Sequence, residues 1–260
     1  MGVVAIQSYK FMEIIRLLNT YVHNLTMQET LHEIERAINQ NRQVHYTDLN
    51  AAKIVDLQKN MDLRKSVHEA DIINADGQAV VWASKFLRKP IKERVAGVDL
   101  MGNLVDMAAK NGYKIYLLGA KEEVVTRLTK IYKEKYGENL VAGYRNGYFN
   151  EEAEAKIVDD IVQSGAQMLC VAISSPFKEN FLFRHKDALS QVNFIMGVGG
   201  SFDVYAGEVK RAPIWMQKIG MECFFRFLQE PKRMWRRYLI GNSKFIYLTF
   251  KEKWRKTPPS

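Results

Sequence analysis

The feature that most constrains this chain is a repeated change of rhythm. Short apolar runs of strand length end in small or acidic corners, and each is followed by a helical stretch. Tyr113-Lys114-Ile115-Tyr116-Leu117-Leu118 runs into Gly119-Ala120, and Met168–Ile173 runs into Ser174-Ser175-Pro176. Val192–Val198 ends in Gly199-Gly200-Ser201-Phe202-Asp203, and Ile72-Ile73 leads to Asn74-Ala75-Asp76-Gly77. Runs that are apolar throughout suit strands covered on both faces, as in parallel sheets. Their spacing of about 25–30 residues is that of strand–helix–strand units. The expected fold is α/β: a Rossmann-like, mostly parallel sheet flanked by helices.

Gln43–Thr47, Asp71–Ala75 and Leu140–Gly143 complete the expected strands. Helices are expected over Asn50–Gln58, Val80–Phe86, Glu122–Tyr136 and Glu151–Gln163, and from Gly97 to a C-cap at Gly112. Thr26-Met27-Gln28-Glu29 is a capping box, with Leu31, Ile34 and Ile38 at helical spacing behind it. Phe11–Leu18 reads as an apolar helix. Beyond Ala206 no strand pattern appears and the chain reads as helices. One boundary is therefore drawn, between a Rossmann-like body (1–206) and an appendage (207–260).

That boundary also divides the charge. Residues 1–206 carry 25 Lys/Arg and 25 Asp/Glu, whereas residues 207–260 carry 13 against 4, which is the whole net +9. Trp215, Trp235 and Trp254 lie in the same tail. A neutral body with a basic, aromatic tail implies contact with something anionic and partly apolar. Cys170 and Cys223, both in apolar surroundings, give neither a disulfide framework nor a zinc site and fit a reducing compartment. Lys10, Glu13 and Arg16 interrupt the first apolar run, which argues against a signal peptide. Met1-Gly2 has no Ser or Thr at position 6, which argues against myristoylation. No window is long and apolar enough to span a bilayer. The expected location is cytoplasmic.

Asp76 stands at a strand-to-helix corner, where open α/β sheets bind ligands. Asp before Gly before a helix is also ordinary capping and turn chemistry. The corners Gly119-Ala120, Ser174-Ser175-Pro176 and Gly199-Gly200-Ser201 present backbone amides suited to phosphates, or are simply tight turns. None has the full Gly-x-Gly-x-x-Gly spacing and no Walker sequence occurs, so together they suggest a nucleotide-type ligand only through their shared edge. Asn50 is either a helix cap or, beside a carboxylate, a partner for sugar hydroxyls. Arg94 follows Arg88, Lys89 and Lys92, a solvated basic face unless an anion docks there. The five histidines have no ligand spacing, no Ser/His/Asp order stands out, and no Asp-x-Asp ends a strand, so no metal ligands are assigned.

In the tail, Met216, Ile219, Cys223, Phe224, Phe227 and Leu228 form an apolar stripe. Met234-Trp235 and Tyr238-Leu239 interleave with Arg233, Arg236 and Arg237. This is either helix packing with solvated arginines or a segment lying at an anionic membrane surface. Nucleic acid is the less favoured anion, because the neutral body carries no recognised nucleic-acid module.

Taken together, the sequence resembles the WecG/TagA/CpsF family of bacterial glycosyltransferases from about Leu25 to Phe245. The matching pieces are Asn50-Ala51, Ala75-Asp76-Gly77 with Val80-Val81-Trp82-Ala83, and Glu93-Arg94-Val95-Ala96-Gly97-Val98-Asp99-Leu100. They continue with Leu117-Leu118-Gly119, Gly197-Val198-Gly199 with Phe202-Asp203, and Ala206-Gly207-x-Val209-Lys210-Arg211-Ala212-Pro213. The last is Gln229-Glu230-Pro231 through Arg236-Arg237-Tyr238-Leu239-x-Gly241-Asn242.

The resemblance implies transfer of a sugar, with inversion, from a UDP-sugar to a polyprenyl-diphosphate-linked saccharide, without an obligatory metal. It implies a hexosyltransferase of cell-surface polysaccharide or teichoic acid synthesis, peripheral on the inner face of the cell membrane. Asp76 falls on the family's general base. Thr47, Asp48, Asn50, Arg94, Lys178 and Glu179 form the substrate-binding set. Gly119, Ser174, Ser175, Pro176, Gly199 and Gly200 are assigned to the nucleotide, and Arg233, Arg236 and Arg237 to the lipid diphosphate.

Two departures stand out. Asp48 replaces a Thr two residues before the Asn, with Thr47 one place earlier. Pro176-Phe177-Lys178-Glu179-Asn180-Phe181 replaces Pro-Lys-Gln-Glu-x-Trp. A lysine where the family has an amide argues for a donor sugar other than N-acetylmannosamine, a glucose-type sugar or a uronic acid. The rival readings are a non-catalytic nucleotide-binding module recruited to membranes and a basic nucleic-acid-binding protein. Oligomeric state, a homo-oligomer included, stays open.

Overall fold

The computed structural model describes residues 12–218, 220–229, 231 and 241–255. Its first element corrects the expected helix at Phe11–Leu18: β1 (Ile14–Leu17) and β2 (Thr20–His23) form an antiparallel hairpin. Leu18 and Asn19 both take left-handed backbone, φ 50° and 59°, as a two-residue hairpin turn demands. Tertiary packing decides the conformation, since Leu17, Leu18 and Val22 are buried against the sheet's covering helices.

The central sheet has six parallel strands. In spatial order they are β4 (Ile72–Ala75), β3 (Val44–Leu49), β8 (Phe194–Gly197), β7 (Met168–Ala172), β5 (Ile115–Gly119) and β6 (Val141–Arg145). Successive strand residues point to opposite faces, so each strand feeds two cores. On one face Tyr46, Ile72, Leu117, Cys170 and Met196 meet helices α1 (Met27–Asn39), α5 (Gly97–Asn111), α6 (Glu122–Tyr136) and α9 (Ser201–Tyr205). On the other, Leu49, Ile73 and Ala75 meet α2 (Ala51–Leu57), α3 (Met61–His68) and α4 (Gln78–Phe86). Leu118, Val171 and Ile195 on that face meet α7 (Glu154–Gln163) and α8 (Phe177–Arg184). This is the Rossmann-like α/β arrangement expected from the sequence.

The connection after β5 leads outward to β6, whereas the connection after β7 leads inward to β8. Their helices, α6 and α8, accordingly lie on opposite faces. The crevice between the carboxyl ends of β5 and β7 is thus a topological switch point, where such sheets bind ligands. Gly119 closes β5 at φ 132°, and a Cβ there would lie 2.4 Å from the Ala172 carbonyl oxygen, so only glycine fits.

Several boundaries fall where composition placed them. Thr26 and Glu29 form the reciprocal capping box of α1, and Gly112 ends α5 in left-handed backbone at φ 75°. β3 runs on to Leu49, however, so Thr47 and Asp48 lie inside the strand. Three helices, α3, α8 and α9, lie where the sequence pattern predicts none.

After β8 the described residues are helical: α9, then α10 (Ile214–Lys218), α11 (Glu222–Gln229) and α12 (Asn242–Lys253). The last of these returns to the body. Phe245 is buried among Leu49, Ile54 and their neighbours. Glu252 accepts from the Leu18 backbone N–H and pairs with Lys89 Nζ at 2.8 Å, while Lys253 Nζ donates to the Phe86 carbonyl at 2.6 Å. Among the described residues no helix is long and apolar enough to cross a membrane.

Candidate active site

At the carboxyl end of β4, Asp76 does not cap the helix that follows it. The N-cap of α4 is Gly77, which makes no side-chain cap. A Cβ at Gly77 would stand 3.3 Å from Asn50 Cβ, so the β3 and β4 corners touch here. Asp76 instead reaches across to α5, where its Oδ1 accepts from the Gly97 backbone N–H at 3.1 Å. Asp48 Oδ2 borders the same glycine, 3.4 Å from where a Gly97 Cβ would be. Two carboxylates therefore converge on one helix start. Burial pushes Asp76 up to about 6, and the Asp48 charge pushes the same way; Arg94 and the Gly97 N–H pull it down, and Glu222 adds repulsion. A carboxylate made more basic in this way is suited to take a proton near neutral pH.

Asp48 has its own counter-ion. Lys53 Nζ donates to Asp48 Oδ1 at 2.5 Å and lies 2.9 Å from Glu179 Oε1, with all three side chains buried. Burial works against the Lys53 charge, but Asp48 and Glu179 overcome it and hold the ammonium above its ordinary pKa. Glu179 is drawn below the carboxylate range by Lys53 and Lys178, against the effect of burial. Lys178 Nζ is 3.8 Å from Glu179 Oε1. Its stem crosses β8, with Cδ 2.8 Å from where a Gly197 Cβ would stand and Nζ 3.7 Å from that of Gly199. Lys178 thus links the carboxylate cluster to the Gly199 corner.

The segment that follows α9 closes one side of this corner. Arg94 Nη2 donates to Glu222 Oε2 at 2.7 Å, and Arg211 Nε donates to Glu222 Oε1 at 3.2 Å. Arg211 is also bidentate on Asp99, with Nη2 to Oδ2 at 2.7 Å. Two residues before Glu222, Gly220 takes φ 76°, and a Cβ there would lie 2.4 Å from Gln78 Cγ and 3.0 Å from Trp82 Cζ2. The backbone at Gly220 lies directly on α4.

The family model of the glycosyl transferase WecG/TagA/CpsF family matches residues 15–259. The chain belongs to this family. A glycosyltransferase role follows from that membership.

In this glycosyltransferase the residues singled out from sequence fall along one edge of the sheet. From β4 across to β5 they run Asp76, Asp48, Gly199-Gly200, Ser174-Ser175-Pro176 and Gly119. Asn50 is the N-cap of α2, its Oδ1 accepting from the Lys53 N–H at 3.0 Å. Thr47 is buried in β3 beside Asp48, and strand alternation sends the two side chains to opposite faces. Arg94 and Glu179 each carry an ion pair. Arg233, Arg236 and Arg237 lie outside the described residues.

Lys53, Glu222 and Arg211 were not assigned roles from sequence. One signal pointed to Lys53: it stands in the first turn of α2, where the helix dipole disfavours a cation. A lysine there needs anions nearby. Arg211 stands in the matched piece Ala206–Pro213, but neither it nor Glu222 showed its role there, since Arg94 and Asp99 come from a distant segment.

Proposed function

We propose that this glycosyltransferase moves a sugar, with inversion, from a UDP-sugar to a polyprenyl-diphosphate-linked saccharide, with Asp76 as the general base. The carrying observation is Asp76 itself, a carboxylate at the carboxyl edge of the sheet made more basic by burial and by Asp48. The acceptor hydroxyl gives its proton to Asp76 as its oxygen bonds to the anomeric carbon. The bond from that carbon to the phosphate oxygen breaks and UDP departs with the electron pair. Lys178, Arg94 and the appendage arginines are the cations that offset the leaving-group charge, so the reading needs no obligatory metal.

In this reading the Gly119, Ser174–Pro176 and Gly199-Gly200 corners hold the uridine diphosphate, and Thr47, Asp48, Asn50, Lys178 and Glu179 border the sugar. Residues 207–260 form the appendage that rests on the inner, anionic face of the cell membrane and presents the lipid acceptor. Exposed Ile214, Trp215, Phe224 and Leu228 beside its excess of lysine and arginine support that role. The product enters cell-surface polysaccharide or teichoic acid synthesis.

Asp76→Asn tests the assignment, because the amide keeps an oxygen to accept the Gly97 N–H but cannot act as base. UDP binding by calorimetry should persist while UDP release during turnover falls about 10²–10⁴-fold. Near-normal turnover in that variant would remove Asp76 from the mechanism. A wild-type chain that binds UDP but never releases it from a UDP-sugar would be a nucleotide-binding module instead.

A further inference from the structure

Glu222 makes a contact that this mechanism leaves unexplained. It is the first residue of α11, and its two carboxylate oxygens go to two different arginines, Arg94 and Arg211. Among the described residues, Glu222 is the only acceptor of an Arg94 hydrogen bond. Asp99 holds the far side of Arg211 in a bidentate grip that fixes the plane of its guanidinium. An oxyanion bridging two oriented guanidiniums is the contact pattern that phosphate groups make with paired arginines. The position also belongs to the site, because the Glu222 charge acts on Asp76.

We propose that Arg94 and Arg211 form a two-arginine diphosphate site that the Glu222 carboxylate and a substrate diphosphate occupy in turn. This rests on the reading above, in which both substrates carry a diphosphate. The exchange conserves the type of contact: one bridging oxyanion leaves and another takes its place. It has a mechanical consequence. Glu222 and Gly220 are two residues apart, so an anion that displaces Glu222 loosens the appendage from α4 beside Asp76. By linkage, whatever loosens the appendage strengthens diphosphate binding by the same factor.

The test is calorimetric titration of the full chain with inorganic pyrophosphate, UDP and farnesyl diphosphate, using the wild type, Glu222→Gln, Arg211→Gln and the double variant. Removing the internal competitor should tighten pyrophosphate binding by about three- to thirtyfold in Glu222→Gln, since affinity rises as the competent fraction rises. Arg211→Gln should weaken binding and erase the gain in the double variant. A gain for UDP alone assigns the site to the donor, and one for farnesyl diphosphate alone assigns it to the lipid. Unchanged or weaker binding of all three by Glu222→Gln overturns the proposal, as does a gain that survives Arg211→Gln. Should Glu222→Gln fail to fold, Glu222→Asp serves the same test, keeping the charge but losing the reach to both arginines. Failure of the donor reading looks different: the wild type binds no UDP while Glu222→Gln still gains pyrophosphate affinity.

Discussion

The Asp76 carboxylate and the Gly97 backbone N–H meet at 3.1 Å, which ties the end of β4 to the start of α5. The proposed base is therefore held by a helix other than its own, close to a second carboxylate at Asp48. In the transfer reading only deprotonated Asp76 works as base. With its pKa pushed up to about 6, kcat/KM should rise with pH and level off above that value. A pH–rate profile whose acid limb falls well below this, in the ordinary carboxylate range, would contradict the upward push of burial and Asp48 on Asp76.

The same shift fixes the sign of a stability effect. A carboxyl whose pKa is raised in the fold keeps its proton at pH values where the unfolded chain has lost it. Stability then falls as pH rises from the ordinary carboxylate range to about 6, and stays lower above it. Asp76→Asn removes that loss. Its Tm should exceed the wild type's at about pH 8 and match it at about pH 3, by calorimetry at both.

Lys53 offers a larger effect. Lys53→Met leaves Asp48 and Glu179 buried without their shared cation, which should cost about 3–5 kcal/mol by urea denaturation. Adding Glu179→Gln removes one of the two stranded charges and should recover part of the loss. A Lys53→Met chain as stable as the wild type would mean that the cluster is solvated.

In the transfer reading Lys178 borders the sugar, where its ammonium favours a negatively charged one. If the donor is a uronic acid, the wild type should turn over UDP-glucuronate in preference to UDP-glucose, and Lys178→Gln should reduce that preference by about tenfold or more. Equal turnover of the two donors by the wild type sinks the idea.

Phe245 and Trp215 separate packing from the proposed membrane contact. Phe245 is 5% exposed and Trp215 is 62% exposed. Phe245→Ala should cost about 3–5 kcal/mol in the unfolding free energy. Trp215→Ala should change stability by only about 0.5 kcal/mol or less, yet weaken flotation with anionic vesicles. The buried Phe245 also means that a chain cut after residue 206 should lose body stability along with any membrane contact.

How far the sequence disclosed these features depended on how local their causes are. The strand ends at Gly119, Ser174 and Gly199, the capping box at Thr26–Glu29 and the C-cap at Gly112 rest on neighbouring residues and were legible. The β1–β2 hairpin was not, because Leu17 and Val22 bury themselves against elements distant in sequence. The setting of Asp76 was half visible. Its corner could be read, but its hydrogen bond to Gly97 and its repulsion from Asp48 need three chain segments brought together. The Glu222 bridge lies at the far extreme, since Arg94, Asp99 and Arg211 meet only after the segment beyond α9 packs on the body.

The place of β8 sets the order of events during synthesis. Among the described residues it is the last strand to be made, yet it lies between β3 and β7. While residues 194–197 are still within the ribosome, the β4–β3 pair and the β7–β5–β6 set have no common partner. Each leaves a strand edge unpaired, the kind of edge that recruits other chains. The sheet, and with it the edge that carries Asp76 and the Gly119, Ser174 and Gly199 corners, is joined in one late, long-range step. A nascent chain of this protein is therefore most exposed to aggregation just before β8 emerges.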